Sequence, residues 1–230
     1  MSIDQSVSDV QSLMQRKRVE GLMEAVYYCY GSAVVGDIAE FGTMTGATAY
    51  GIGVAMLAVE RQYGLPAKNL DLYDSFVGLP EPDRTPDTGS PHVTLGHWAA
   101  GGCQGISVTE LDAMMREALP EDRYRIVEGW YSDTVPSLPG DKRYAMLHVD
   151  CDLYGSTMDC MVPLFEKGLI SRGCAVCFDD WMCNQADPAF GERKAFAELA
   201  ERFDIRCSDW GAYTWSGARF IIHDYNGCPK

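Results

Sequence analysis

Two pairs of aspartates stand out by type and spacing: Asp150 and Asp152, separated by Cys151, and the adjacent Asp179 and Asp180. Each pair follows a short apolar run, Tyr144 to Val149 and Ala175 to Phe178, of the kind that forms a buried strand. Carboxyl ends of neighbouring parallel strands share one rim, so these acids are expected to converge there. Crowded carboxylates repel one another unless a cation or a proton intervenes. Mg²⁺ suits such a rim, because it prefers hard oxygen ligands and leaves positions for water or substrate. The chemistry expected is activation of a hydroxyl: coordination lowers its pKa and fixes its place, and a nearby base takes the proton. Asp150 is the first candidate base and Asp152 the second, with His148 and the histidines near residue 95 in reserve. Asp152 has another reading, a side-chain cap on the following helix. His148, inside the apolar run, reads first as a satisfied core histidine.

A second constellation is Glu40-Phe41-Gly42-Thr43-Met44-Thr45-Gly46, between an apolar run and a helix-like segment. Glycines in a strand-to-helix turn let the backbone approach a ligand, and the helix N-terminus favours an anionic group. The dinucleotide fingerprint is G-x-G-x-x-G, but here Glu40 stands at the first glycine and Gly42 and Gly46 are one residue further apart. A carboxylate at Glu40 repels a diphosphate. It attracts the ammonium or sulfonium of S-adenosylmethionine (SAM), whose own carboxylate would face the helix N-terminus. Asp74 and Ser75 follow the next strand, where an acid binds ribose hydroxyls. Glu128-Gly129-Trp130 ends a third strand on the adenine side, where Trp130 reads either as a cofactor contact or as plain core. The cofactor-binding set expected is Glu40, Phe41, Gly42, Thr43, Gly46, Asp74, Ser75, Gly129, Trp130 and Asp150. Surface carboxylates are the other reading of Glu40 and Asp74.

Strands and helices must alternate to place these turns. Helical spacing runs from Val10 to Tyr30, ahead of a strand from Val34 to Phe41 and a helix from Ala47 to Gln62. Strands near Leu70 to Tyr73 and Tyr124 to Glu128 and helices near Val108 to Ala118 and Ser156 to Lys167 continue the pattern. A helix from Gly191 to Phe203 precedes two last strand runs, Ile205 to Trp210 and Ala218 to His223, with a break around Gly211. The pattern predicts an α/β, Rossmann-like fold: a mostly parallel seven-stranded sheet covered by helices on both faces, with a terminal antiparallel hairpin. One domain is expected over residues 1–230, with an N-terminal helical segment over 1–33. Residues 78–105, rich in Gly, Pro and Asp, are longer than an ordinary connection and read as a lid rather than a solvated insertion, since Trp98, His92 and His97 lie within them.

Composition sets the outer limits. Of 230 residues, 47% are hydrophobic, enough for one sizeable core. Nineteen Lys and Arg against 33 Asp and Glu leave a net charge of −14, which repels nucleic-acid phosphate and anionic lipid. No apolar run approaches the roughly 20 residues that span a bilayer, and the polar start has no signal-peptide pattern, so the cytoplasm is expected. Nine cysteines are scattered through apolar segments. Cys174 and Cys177 form a C-x-x-C inside a strand-like run, where alternation sends them to opposite faces; buried thiols are expected, not a metal or redox pair.

Gly36 to Gly42, Asp74-Ser75-Phe76-Val77-Gly78-Leu79-Pro80, and Val149 to Asp159 together resemble the macrocin O-methyltransferase (TylF-like) family, and the likeness runs from about Arg18 to His223. The resemblance implies a class I methyltransferase fold and SAM-dependent methylation of a sugar hydroxyl on a natural product. It further implies Mg²⁺ held by Asp150, Asp179 and Asp180, and a homo-oligomer. This chain differs at Cys151, where the family commonly has glycine, at Gly155, often glutamate, and at Trp181, often tyrosine. A phenolic or catechol acceptor, an NAD-linked oxidoreductase and a non-catalytic SAM-binding protein are the competing readings.

Overall fold

In the computed structural model, which describes residues 3–229, strands and helices alternate as the apolar periodicity predicts. The strands are β1 (Asp37–Phe41), β2 (Leu70–Asp74), β3 (Tyr124–Glu128), β4 (Tyr144–Val149), β5 (Ile170–Phe178), β6 (Arg206–Ala212) and β7 (Ala218–Asp224). They form a seven-stranded sheet in the order β3-β2-β1-β4-β5-β7-β6. The first five are parallel to one another, and β7 runs antiparallel between β5 and β6.

The helices are α1 (Ile3–Gly31), α2 (Ala47–Tyr63), α3 (Thr85–Thr88), α4 (Pro91–Thr94), α5 (Val108–Ala118), α6 (Tyr131–Thr134), α7 (Tyr154–Glu166) and α8 (Gly191–Phe203). One sheet face packs against α1, α2 and α5 through Leu22, Val26, Ile52, Met56 and Leu111. The other packs against α7 and α8 through Cys160, Leu164, Phe165, Phe196 and Leu199. Cys174 belongs to the second cluster and Cys177 to the first, on opposite faces as strand alternation requires. Among the described residues no helix is long and apolar enough to cross a membrane.

Register brings the functional ends together. Phe41 pairs with Val149, which pairs with Phe178, so Gly42, Asp150 and Asp179 leave the sheet in one row. The Asp150 amide donates to the Phe41 carbonyl and the Asp179 amide to the Val149 carbonyl, each at 2.9 Å. Gly42 has φ +94°, and a Cβ there would stand 2.1 Å from the Asp150 carbonyl oxygen. Only glycine lets β1 turn away this close to β4.

Several boundaries differ from expectation for local reasons. β1 begins at Asp37 rather than Val34, because the carbonyls of Val34 and Gly36 accept from the Lys68 ammonium at 2.6 and 2.8 Å instead of joining the ladder. β5 begins at Ile170, ahead of the polar Ser171-Arg172-Gly173 that hid its first half, and its register against β4 shifts there. The hairpin turns after Ala212, not around Gly211.

Residues 78–105 are folded against the body. The Asp87 carboxylate accepts from the Tyr154 and Gly155 amides at 2.8 and 2.9 Å, capping α7. Asp152 does not cap that helix: it adopts φ +58°, and Leu153 occupies the cap position without a side-chain bond. Arg84 adds a bond to the Gly155 carbonyl at 3.0 Å and an ion pair with Asp159 at 2.5 Å. His92 packs tilted against Trp98 at 4.5 Å and exchanges 3.0 Å hydrogen bonds with Asn184, its amide donating to the Asn184 side chain and its Nδ1 accepting from the Asn184 amide.

Candidate active site

At the carboxyl ends of β1, β2, β4 and β5 lies a cavity of about 280 Å³. Of the expected residues, Gly42, Asp74, Ser75, Gly129, Trp130, Asp150, Asp152, Asp179 and Asp180 line it. Leu79, Pro80 and Cys103 reach it from the 78–105 segment.

Four residues expected in cofactor contact do not reach the cavity. Phe41 is fully buried, stacked on Tyr73 at 4.8 Å with the edge of Tyr131 at 5.6 Å. Its alternation in β1 sends it into the core below the rim. Thr43 faces Asp74, donating from its amide at 2.8 Å and from its hydroxyl at 3.0 Å to the same carboxylate oxygen. Gly46 starts α2 with φ +75°, facing Leu111 and Met114. Glu40 points to the other face from Phe41 and is fully buried. Its Oε1 accepts from His148 Nδ1 at 2.7 Å, and its Oε2 is buried without a hydrogen-bond partner. Glu40 is thus engaged by His148 and is not among the residues that line the cavity.

That pair opens a chain of contacts invisible in the linear sequence. The other ring nitrogen of His148 lies 3.4 Å from the Tyr213 hydroxyl and 3.9 Å from Asp179 Oδ1. Tyr213 donates to Asp179 Oδ1 at 2.8 Å, and Arg18 of α1 pairs with Asp179 Oδ2 at 2.9 Å. Burial alone would lower the His148 pKa, but Asp179 and Glu40 raise it from 6.5 to about 10. These neighbours favour the charged form of this core histidine. Burial likewise works against ionised Asp179, yet His148, Arg18 and Tyr213 hold its pKa below the usual carboxylate value.

The remaining acids are held protonated or in need of a cation. Burial first, then the charges of Asp179 and Asp180, pushes Asp150 well above the ordinary range. Burial first, then Asp150 and Asp179, does the same to Asp152, and burial with Asp152 and Asp179 does so to Asp180. Glu192, whose Oε2 accepts from the Asp180 amide at 2.9 Å, is raised by burial and by Asp180. One carboxylate oxygen from each of Asp150, Asp179 and Asp180 lies within 4.8 Å of the others. Asp180 Oδ2 is buried and lacks a partner. Three hard oxygen donors, excess negative charge and an unsatisfied buried oxygen fit a divalent cation of the Mg²⁺ type.

These charge states make stability depend on pH. Asp150, Asp152 and Asp180 have folded pKa values raised above the unfolded ones, so their repulsion is absent at low pH and costs stability as pH rises through those values. His148 contributes fully below 6.5 and loses its contribution as pH rises through about 10, the same direction. Asp179, lowered, matters only in acid, below the usual carboxylate range. Chelator-treated protein should melt about 3–8 °C higher at about pH 6 than at about pH 8.5. A melting temperature that is flat or rises with pH would contradict these charge states.

Sequence reasoning missed Arg18, Tyr213 and the Glu40–His148 pair. The available signal was Gly21: a glycine inside a helical run marks close approach of another element, and a Cβ there would lie 2.6 Å from the Cβ of Tyr213.

Comparison with known proteins identifies the family and the fold. The model of the macrocin-O-methyltransferase (TylF) family matches residues 5–215. Demethyldecarbamoylnovobiocin O-methyltransferase of Streptomyces niveus is 28% identical over 196 residues, 84% of this chain and 71% of its own length. A tetracenomycin-C rhamnosyl 4'-O-methyltransferase of Streptomyces olivaceus is 30% identical over 175 residues, 76% of this chain and 64% of its own. Among solved structures, the O-methyltransferase NovP superposes with a TM-score of 0.72 at 26% identity, covering 90% of this chain and 80% of that one. The fold also matches a calicheamicin methyltransferase, CalS11, with a TM-score of 0.65 at 20% identity, covering 97% and 87% of the two chains. Because the family match takes in the first strand-to-helix turn and both aspartate motifs, the chain belongs to the macrocin-O-methyltransferase family and is a SAM-dependent O-methyltransferase with a class I fold.

Proposed function

We propose that this enzyme methylates a sugar hydroxyl of a natural product, using a divalent cation held by Asp150, Asp179 and Asp180. The observation that carries the reading is the convergence of these carboxylates beside the cavity, with Asp180 Oδ2 left unsatisfied. The names of the relatives support the acceptor class: one acts on a rhamnosyl group, and another is a mycinamicin III 3''-O-methyltransferase of Micromonospora griseorubida, 24% identical over 204 residues. The same family likeness supports a homo-oligomer.

In this reading Asp74, Ser75, Gly129 and Trp130 hold the adenosine part of SAM, and the acidic floor favours its sulfonium. Asp74 already bonds to Thr43, so its carboxylate is oriented before any ribose arrives. A bound divalent ion supplies Lewis-acid polarisation that lowers the pKa of the acceptor hydroxyl. The methyl carbon–sulfur bond breaks as the carbon–oxygen bond forms, sulfur leaves as a thioether, and the hydroxyl proton passes to Asp150. Asp150 lines the cavity at the carboxyl end of β4, which places its carboxylate to take that proton. Leu79, Pro80 and Cys103 line the cavity from the 78–105 segment, which supports a lid role for that segment.

An acceptor screen with SAM tests the reading. Turnover on glycosylated acceptors, lost on chelation and restored by Mg²⁺, is expected. Full activity in chelator would remove the metal role, and turnover confined to catechols would overturn the acceptor class.

A further inference from the structure

Docking of α1 against the sheet sets an arginine over the acid cluster. With no side chain at Gly21, the helix lies against Tyr213 in the β6–β7 turn, where a Cβ would clash at 2.6 Å. Arg219 Nη1 fastens it there, donating to the Gly21 carbonyl at 3.1 Å and pairing with Glu24 at 2.8 Å. Val19 packs over Gly51 of α2, whose missing Cβ would meet it at 2.4 Å. These contacts fix the azimuth of the helix, and Arg18, nearly one turn before Gly21, is carried over the carboxylates. Its Nη2 reaches Asp179 Oδ2 at 2.9 Å while Tyr213 takes Oδ1 at 2.8 Å. Arg18 is the one Lys or Arg among the described residues that line the cavity, against the six acids Asp74, Asp150, Asp152, Asp159, Asp179 and Asp180. Its Nε is buried without a hydrogen bond. The guanidinium is thus held in a partly unsatisfied position, which the field of the acids offsets.

We propose that Arg18 is the resident counter-cation of the carboxylate cluster, a positioning residue that ties the N-terminal helix to Asp179 and competes there with a divalent ion. The inference rests on the reading of Asp150, Asp179 and Asp180 as ligands. Both cations draw on the same negative charge and repel each other across a few ångströms of low-dielectric interior. Arginine does not escape by losing its proton. Linkage then makes the antagonism mutual: cation binding loosens the grip of Arg18 on Asp179, and loss of Arg18 strengthens cation binding.

Calorimetric titration of the full-length protein with Mn²⁺, comparing wild type, R18M and R18K, tests this. R18M should bind Mn²⁺ about tenfold more tightly and, without metal, melt several degrees lower, whereas R18K, keeping the charge, should restore the wild-type affinity. A purely structural Arg18 would lower the melting temperature with Mn²⁺ affinity unchanged or weaker, and that result overturns the proposal. If neither wild type nor R18M binds Mn²⁺, the ligand reading itself fails and the proposal falls with it. Should R18M not fold, amide exchange in α1 of the wild type decides: faster exchange around Arg18 on adding Mn²⁺ supports the antagonism, and unchanged or slower exchange overturns it.

Discussion

Asp150→Asn lowers kcat by about 10³-fold and leaves the melting temperature unchanged or higher. The two halves of this expectation have one cause. Asp150 is held at the end of β4 by the bond from its own amide to Phe41, so its place in the cavity does not depend on its side chain. Its carboxylate is a burden to the fold, buried and facing Asp179 and Asp180, which push its pKa well above the ordinary range. An amide of the same shape removes that repulsion while removing both the proton acceptor and one anionic ligand. Steady-state kinetics beside thermal melts check the result. A loss under about tenfold would move the base elsewhere, with Asp152 next in line.

Glu40→Ala destabilises the protein by about 3 kcal/mol, a fall of roughly 6–12 °C in melting temperature. Glu40 and His148 are both fully buried and 2.7 Å apart, and Asp179 with Glu40 raises the His148 pKa and so favours its charged form. Removing the carboxylate leaves that charge with Asp179 at 3.9 Å as its nearest anion and opens a cavity besides. Glu40→Gln should recover the packing and less than half of the lost stability, since the attraction between charges is gone. If Glu40→Ala instead melts normally but binds cofactor weakly, Glu40 contacts the cofactor directly and the buried pair is not its main role.

Legibility of the sequence divides along a physical line. Strand ends could be read because a buried parallel strand is a short apolar run, and the residues just beyond its carboxyl end fall on a predictable rim. Asp74, Gly129, Asp150, Asp152, Asp179 and Asp180 all lie at the cavity for that reason. Alternation also placed Cys174 and Cys177 on opposite faces. Failure came where a side chain's partner is remote. Glu40 meets a histidine 108 positions away, and Arg219 meets the Gly21 carbonyl across 198. Local pattern cannot report such pairings. Asp152 illustrates competition: its type and position suit a helix cap, but Asp87 from the 78–105 segment takes the amides of α7 first. The segment's order was signalled only by its aromatic residues, of which Trp98 is 6% exposed against Leu153 and Cys183.

The most direct test of the assigned methyl-donor site is calorimetric titration of the purified protein with S-adenosylhomocysteine, with NAD as the control. The cavity at the ends of β1, β2, β4 and β5 predicts micromolar binding of S-adenosylhomocysteine, weakened by Asp74→Ala, and no binding of NAD. No binding of S-adenosylhomocysteine, or a preference for NAD, would contradict the assignment of this cavity as the methyl-donor site.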